Sequence, residues 1–138
     1  MKPVQQTIFE KGLGDCFRAC VASIFEFSID EMPNFWEQTQ DVSEFWRLNN
    51  NWMMETRGFK VLHFELLPED KHVVMDLLCI ACAKTIRGRE DHAVIWKNGL
   101  VHDPHPSGVG LAEDPYTFTV FVPIDPNNRF NKDAFRTC

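Results

Sequence analysis

The chain is expected to fold as an α+β protein, with helices first and a mostly antiparallel sheet second. Three features predict that order. Apolar residues recur at helical spacing through 16–25 and again through 42–53. From residue 59 the pattern changes to alternating or continuous apolar runs bounded by turn residues. Asn98-Gly99, the strongest short hairpin signal in the chain, joins two of these runs. Helices followed by strands segregate into an α+β arrangement. At 138 residues the chain fits one domain spanning 1–138, with a single core.

Each element follows in order. Gly12-Leu13-Gly14 is a turn signal, and Asp15 suits the N-cap of a helix beginning at Cys16. Phe17, Cys20, Val21, Ile24 and Phe25 give that helix a buried face. "SIDEMPNF" predicts a short turn or one-turn helix with a break near Pro33. Asp41 and Glu44, spaced as in a capping box, start a second helix. Its apolar face is Val42, Phe45, Trp46, Trp52 and Met53, and Gly58 ends it. "FKVLHFEL" alternates as a half-buried strand does, and "DLLCIACAK" is a near-continuous apolar run. "HAVIW" and "LVHDP" flank the hairpin turn, and "YTFTVFVPI" is the last strand. The tail from Asp125 is polar and expected to be loosely packed. The first helix is the candidate to pack on the sheet, its N-terminus facing one edge or end of the strands.

Composition removes several functions. Twelve phenylalanines and four tryptophans argue against disorder. A net charge of -6 without a Lys or Arg cluster argues against nucleic-acid binding through a phosphate footprint. No stretch has the length and apolarity of a membrane span, and "MKPVQQTIFEKG" lacks a signal-peptide core, so a cytoplasmic protein is expected. The cysteines at 16, 20, 79, 82 and 138 are odd in number, which favours reduced thiols over a disulfide framework. The terminal "RTC" is no prenylation box, because its cysteine is the last residue.

The hairpin brings two polar residues together. With Asn98-Gly99 as a two-residue loop, Lys97 pairs with Leu100, Trp96 with Val101, Ile95 with His102 and Val94 with Asp103. His92 shares the face of Val94, so His92 and Asp103 become diagonal neighbours roughly 5–8 Å apart at Cβ. A carboxylate there can fix the imidazole tautomer and leave the other nitrogen as a general base. Cys16 is the candidate nucleophile, because a helix N-terminus favours a thiolate and its N–H groups can hold an oxyanion. The neighbouring Asp15 carboxylate opposes ionisation of the thiol.

"GDCFRAC", "DHAV" at 91–94 and "HDP" at 102–104 resemble the papain-like cysteine peptidase superfamily, especially small bacterial members related to bacteriocin-processing peptidases. The resemblance covers most of 5–122 and extends to the chain order Cys, His, Asp. It implies a papain-like fold, a Cys16–His92–Asp103 triad and a thioester acyl-enzyme, with no cofactor and no metal. It also implies a glutamine ahead of the cysteine in the oxyanion hole. Gln5 and Gln6 are the candidates, and Gln6 is preferred; it precedes Cys16 by ten residues, where the family more often has about six. The substrate would be a peptide, a protein or a small amide, and the acceptor water or an amine.

Other readings compete. A non-catalytic binding module could keep the fold, although it has no need of all three polar roles. A metal-dependent hydrolase would use His92, His102 and His105, but strand alternation points His102 away from His92. Cys79 and Cys82, three apart on a strand, face opposite ways and make a poor metal half-site. Cys20 is expected in the core, His63 and His72 at the surface or an edge, and Trp36, Trp46, Trp52 and Trp96 in the core. "HPSGVGL" lacks the lysine and helix of a phosphate loop and is expected to be a flexible loop near the site, a candidate to line its cleft.

Overall fold

Apolar spacing does produce the first helix. In the computed structural model, which describes residues 1–10, 14–87 and 91–127, helix α1 spans Cys16–Phe25. The turn expected at Gly12 and Leu13, most of the polar tail and Cys138 lie outside the described residues. Residues Ala19 to Phe25 of α1 are all buried. The helix stops at Glu26, which adopts the left-handed conformation and donates its N–H to Ala22.

Asp15 corrects an expectation. Its side chain caps nothing in α1. It turns back to accept from the N–H groups of Thr7 and Ile8 at 2.8 and 2.9 Å and from the Thr7 hydroxyl at 2.7 Å. The returning N-terminal segment presents two N–H groups and a hydroxyl to the carboxylate, and these take it from the helix.

Ser28 opens a single 3-10 turn at Ile29–Glu31 through a capping box. A four-residue helix α2, Phe35–Gln38, follows Pro33. Helix α3, Val42–Arg57, starts where Asp41 accepts from the Glu44 N–H at 2.9 Å and ends at Gly58, φ 75°. Glu44 does not complete the box, because its carboxylate pairs with Arg47. Val42 is also not on the buried face, being 60% exposed.

The strands are β1 Phe59–Glu65, β2 Cys79–Lys84, β3 Asp91–Trp96, β4 Leu100–His102 and β5 Thr117–Pro123. They form one antiparallel sheet in the order β1-β5-β2-β3-β4. The chain is therefore α+β, with a sheet that is antiparallel throughout the described residues. The run "DLLCIACAK" is strand only from Cys79; Pro68–Val74 before it winds as 3-10 turns.

The hairpin departs from a two-residue loop. Trp96 pairs with Leu100 instead of Val101, and Lys97 donates its N–H to Gly99. A bulge at Ile95/Trp96 then absorbs the extra residue and restores Ile95 opposite His102. The longer loop and the bulge cancel, so the register at His92 is the expected one.

One face of the sheet packs on α1, where Ala93, Ile95 and Ile80 join Ala19, Cys20 and Ile24. Phe25 meets Phe59 and Phe121 edge to face, both at 5.0 Å. Each such pair contributes about 0.5–1.5 kcal/mol beyond burial. The other face, with Cys79, Ala81, Val94 and Phe118, is covered by Val74 and Leu77 from the segment before β2 and by Leu111. At the β1 edge the Asn50 amide bonds both the N–H and the carbonyl of Val61, closing backbone groups no strand reaches. No helix among the described residues is long and apolar enough to cross a membrane.

Candidate active site

Antiparallel pairing of β3 and β4 delivers His92 to Asp103. The ring Nε2 lies 2.6 Å from Asp103 Oδ1, and both side chains are buried. A carboxylate only accepts, so Nε2 carries the proton and Nδ1 is left basic. Asp103 is held further by the N–H of His105 on Oδ1 at 2.9 Å and of Gly110 on Oδ2 at 2.8 Å. Gly110 is buried with φ 71°, a conformation that favours glycine and turns its N–H onto the acid. Its carbonyl accepts from Thr85, and Ala112 donates to Lys84, so the loop is tied to the end of β2. "HPSGVGL" thus wraps the carboxylate and is not among the residues that line the cleft.

The first turn of α1 places Cys16 beside β3. Its Sγ accepts from the Ala93 N–H at 3.5 Å, one residue beyond His92. Among the described residues no hydrogen bond joins the thiol to the ring, but both border one cleft. Cys20, one turn on, is fully buried and donates to the Ala93 carbonyl. Cys79 and Cys82 face opposite sides of the sheet, as alternation requires.

Burial decides the charge states. It pushes the Cys16 thiol up, against the N–H groups of Ala93, Phe17 and Cys16 itself, and the Asp15 charge adds to the rise. The helix N-terminus acts in the expected direction and is outweighed. Burial likewise pushes His92 down, against the hydrogen bond to Asp103. For Asp103 burial works upward, but His92 and the N–H groups of His105 and Gly110 outweigh it and hold the carboxyl below its usual range. Burial thus works against charge on both the thiol and the imidazole, while the hydrogen bonds to Asp103 favour its carboxylate.

Gln6 is buried and Gln5 exposed, which separates the two candidates. Gln6 donates its backbone N–H to Pro104 and its side-chain Nε2 to the Ile8 carbonyl at 2.9 Å. A Cβ built on Gly14 would stand 3.8 Å from that Nε2, which puts the amide beside the residues that lead into α1, although Gln6 does not itself line the cleft.

The cleft, of about 280 Å³, runs from Cys16 and His92 to Trp36, Phe45 and Trp46. Arg18 ties its two sides by donating to the Met32 carbonyl at 2.6 Å. Of the tryptophans expected in the core, Trp46 and Trp52 pack against one apolar cluster and Trp96 against the other, while Trp36, with Trp46, lines this cleft. His63 is exposed on the edge strand but not without partners: it stacks on Trp46 at 3.9 Å and bonds Thr119 at 2.8 Å. His72 is exposed.

The three-histidine cluster does not assemble. His102 Nε2 donates to the Val4 carbonyl, and His105 Nδ1 bonds Ser107. Among the described residues no group of three or more His, Cys, Asp or Glu is placed to hold a metal ion.

The chain matches no protein-family model, no curated protein and no solved structure.

Proposed function

We propose that this chain is a thiol hydrolase or acyltransferase of papain-like type, acting on an amide or related acyl bond. The observation that carries the reading is the buried His92–Asp103 pair, with the Cys16 sulfur against the N–H of the next residue of the same strand. On substrate binding, His92 Nδ1 takes the Cys16 proton as the sulfur attacks the carbonyl carbon. The tetrahedral oxyanion is held by the Cys16 N–H and the Gln6 amide. His92 then gives the proton to the leaving amine, and water or a second amine resolves the thioester. Asp103 keeps the ring in the productive tautomer. Because burial raises Cys16 and lowers His92, a general-base role for His92 is favoured over a preformed ion pair. The aromatic wall of the cleft favours an acyl group with a bulky apolar side chain.

A half-buried thiol whose acidity burial lowers also suits a binding module on the same fold, and one experiment separates the two. p-Nitrophenyl phenylacetate is offered to the wild type, Cys16→Ala and His92→Ala. The enzyme reading expects a burst of nitrophenolate stoichiometric with protein, lost in Cys16→Ala and slowed by about 10²–10⁴-fold in His92→Ala. Identical traces for all three proteins support the binding module.

A further inference from the structure

We propose that Asp15 is a positioning residue, whose carboxylate fastens the N-terminal segment, and with it the Gln6 amide, to the nucleophile end of α1. The inference rests on the Cys16 and Gln6 roles just proposed and adds a residue to them. Asp15 has a fully buried side chain that no helix cap uses. Oδ1 accepts from the N–H groups of Thr7 and Ile8, and Oδ2 from the Thr7 hydroxyl and, at 3.4 Å, from Arg18. The Asp15 N–H returns the bond to the Ile8 carbonyl at 3.4 Å, the same oxygen that anchors Gln6 Nε2.

The segment is fixed at two further points. Val4 bonds Ser23 of α1 through its N–H, and its carbonyl accepts from His102. Gln6 donates its backbone N–H to Pro104, next to Asp103. The segment therefore bridges the helix that carries the thiol and the hairpin that carries the acid. Pro104 holds Gln6 through its backbone, and Asp15 is the side-chain clamp on the two residues that follow it. Two backbone N–H groups on one carboxylate oxygen fix where the chain on either side of Thr7 can lie.

Asp15 has an opposite effect on the thiol. Its charge is one of the influences that push Cys16 up, beside burial. Among the described residues, Cys20 lies one turn on in α1, and the other titratable groups lining the cleft with the sulfur are Arg18 on α1, His63 on β1, Cys82 on β2, Asp91 and His92 on β3, and Tyr116 before β5. A residue kept beside a nucleophile that it makes less acidic must contribute elsewhere, and its hydrogen bonds say where.

The two effects give a signature that a general structural role does not. Asp15→Ala removes every acceptor, whereas Asp15→Asn removes the charge and keeps an oxygen for Thr7 and Ile8. Iodoacetamide labelling of Cys16 should become faster at a given pH in both. Turnover of p-nitrophenyl phenylacetate should fall by about 10- to 100-fold in Asp15→Ala and much less in Asp15→Asn. In a Gln6→Ala background, Asp15→Ala should cost less than about threefold, because the group it positions is gone. The same fold loss with and without Gln6 overturns the inference, as does labelling that slows together with turnover. If Asp15→Ala does not fold, Thr7→Val removes only the hydroxyl bond and carries the test. It should cost about 2- to 5-fold in kcat with Gln6 present and nothing in Gln6→Ala. Equal losses in the two backgrounds overturn the inference. Full turnover in Cys16→Ala overturns the nucleophile assignment and this inference with it, whereas Cys16-dependent turnover with additive losses overturns this inference alone.

Discussion

Replacing Asp103 with asparagine keeps the size of the side chain and removes its charge and one acceptor. The carboxylate serves His92 Nε2 and the His105 N–H on one oxygen and the Gly110 N–H on the other. An amide has a single accepting oxygen. If that oxygen faces His92 and His105, the amide NH2 meets the Gly110 N–H. If it faces Gly110, the NH2 meets the His105 N–H and forces His92 into the other tautomer. One buried donor is orphaned either way, and a charge-assisted bond is lost, at a cost of about 2–4 kcal/mol. At about 3 °C per kcal/mol for a chain of this length, the melting temperature should fall by roughly 6–12 °C. Turnover should fall by about 10²–10⁴-fold, because proton transfer depends on the tautomer. Iodoacetamide labelling of Cys16, which needs no oriented base, should change only a few-fold. Circular-dichroism melting and ester turnover on the same samples read both effects. A melting shift under about 2 °C with turnover within threefold would refute the role given to Asp103.

The site also sets the pH dependence of stability. His92 and Asp103 bind their protons less readily folded than unfolded, so each contributes stability that is present above its unfolded pKa and lost as pH falls through the folded one. Melting temperature should fall on acidification below about pH 6.5, where His92 begins to contribute together with His63 and His105, and again below about pH 4 from Asp103; His92→Ala should reduce the first loss, leaving the part that His63 and His105 carry. Cys16 has the opposite sign: its raised pKa contributes stability present below about pH 8.5 and lost as pH rises through the folded value, so Cys16→Ala should make the alkaline limb shallower, the remainder coming from the raised Cys20, Cys79 and Cys82. Gly110→Ala forces a left-handed φ on alanine and sets its Cβ 3.1 Å from Leu100 Cδ2. It should cost about 1–2 kcal/mol and slow turnover, and unchanged melting and turnover would contradict the clamp on Asp103. Asn50→Ala should cost about 1 kcal/mol by opening the β1 edge while leaving turnover as it was, both read by the same two assays.

Much of the arrangement was legible because it depends on short-range rules. Helical spacing fixed α1, Asp41 and Gly58 bounded α3, and alternation put Cys79 and Cys82 on opposite faces. The turn at Asn98-Gly99 was misjudged by one residue, yet the bulge compensated, so His92 and Asp103 met as expected. Long-range competition was not legible. Asp15 looked like a cap because nothing local showed that Thr7 and Ile8 would return to claim it. For Cys16 the helix end is a local feature, whereas the burial that works against a thiolate depends on the tertiary packing around it. Trp36 and Trp46 share the apolar patterning of core residues, and only the placement of α2 beside α3 opens a cleft between them and the thiol. Gly108 and Gly110 after "HDP" were a usable signal for a loop that folds back on the acid, since both take positive φ.

The most direct measurement of the central claim is the site of acylation. Protein mixed with p-nitrophenyl phenylacetate and quenched in acid within the burst is weighed intact and mapped by peptide mass spectrometry. The account predicts one phenylacetyl group per chain, on the peptide that contains Cys16, persisting longer in His92→Ala once formed and absent in Cys16→Ala. An unmodified Cys16 during turnover, or the same label on Cys16→Ala, would contradict it.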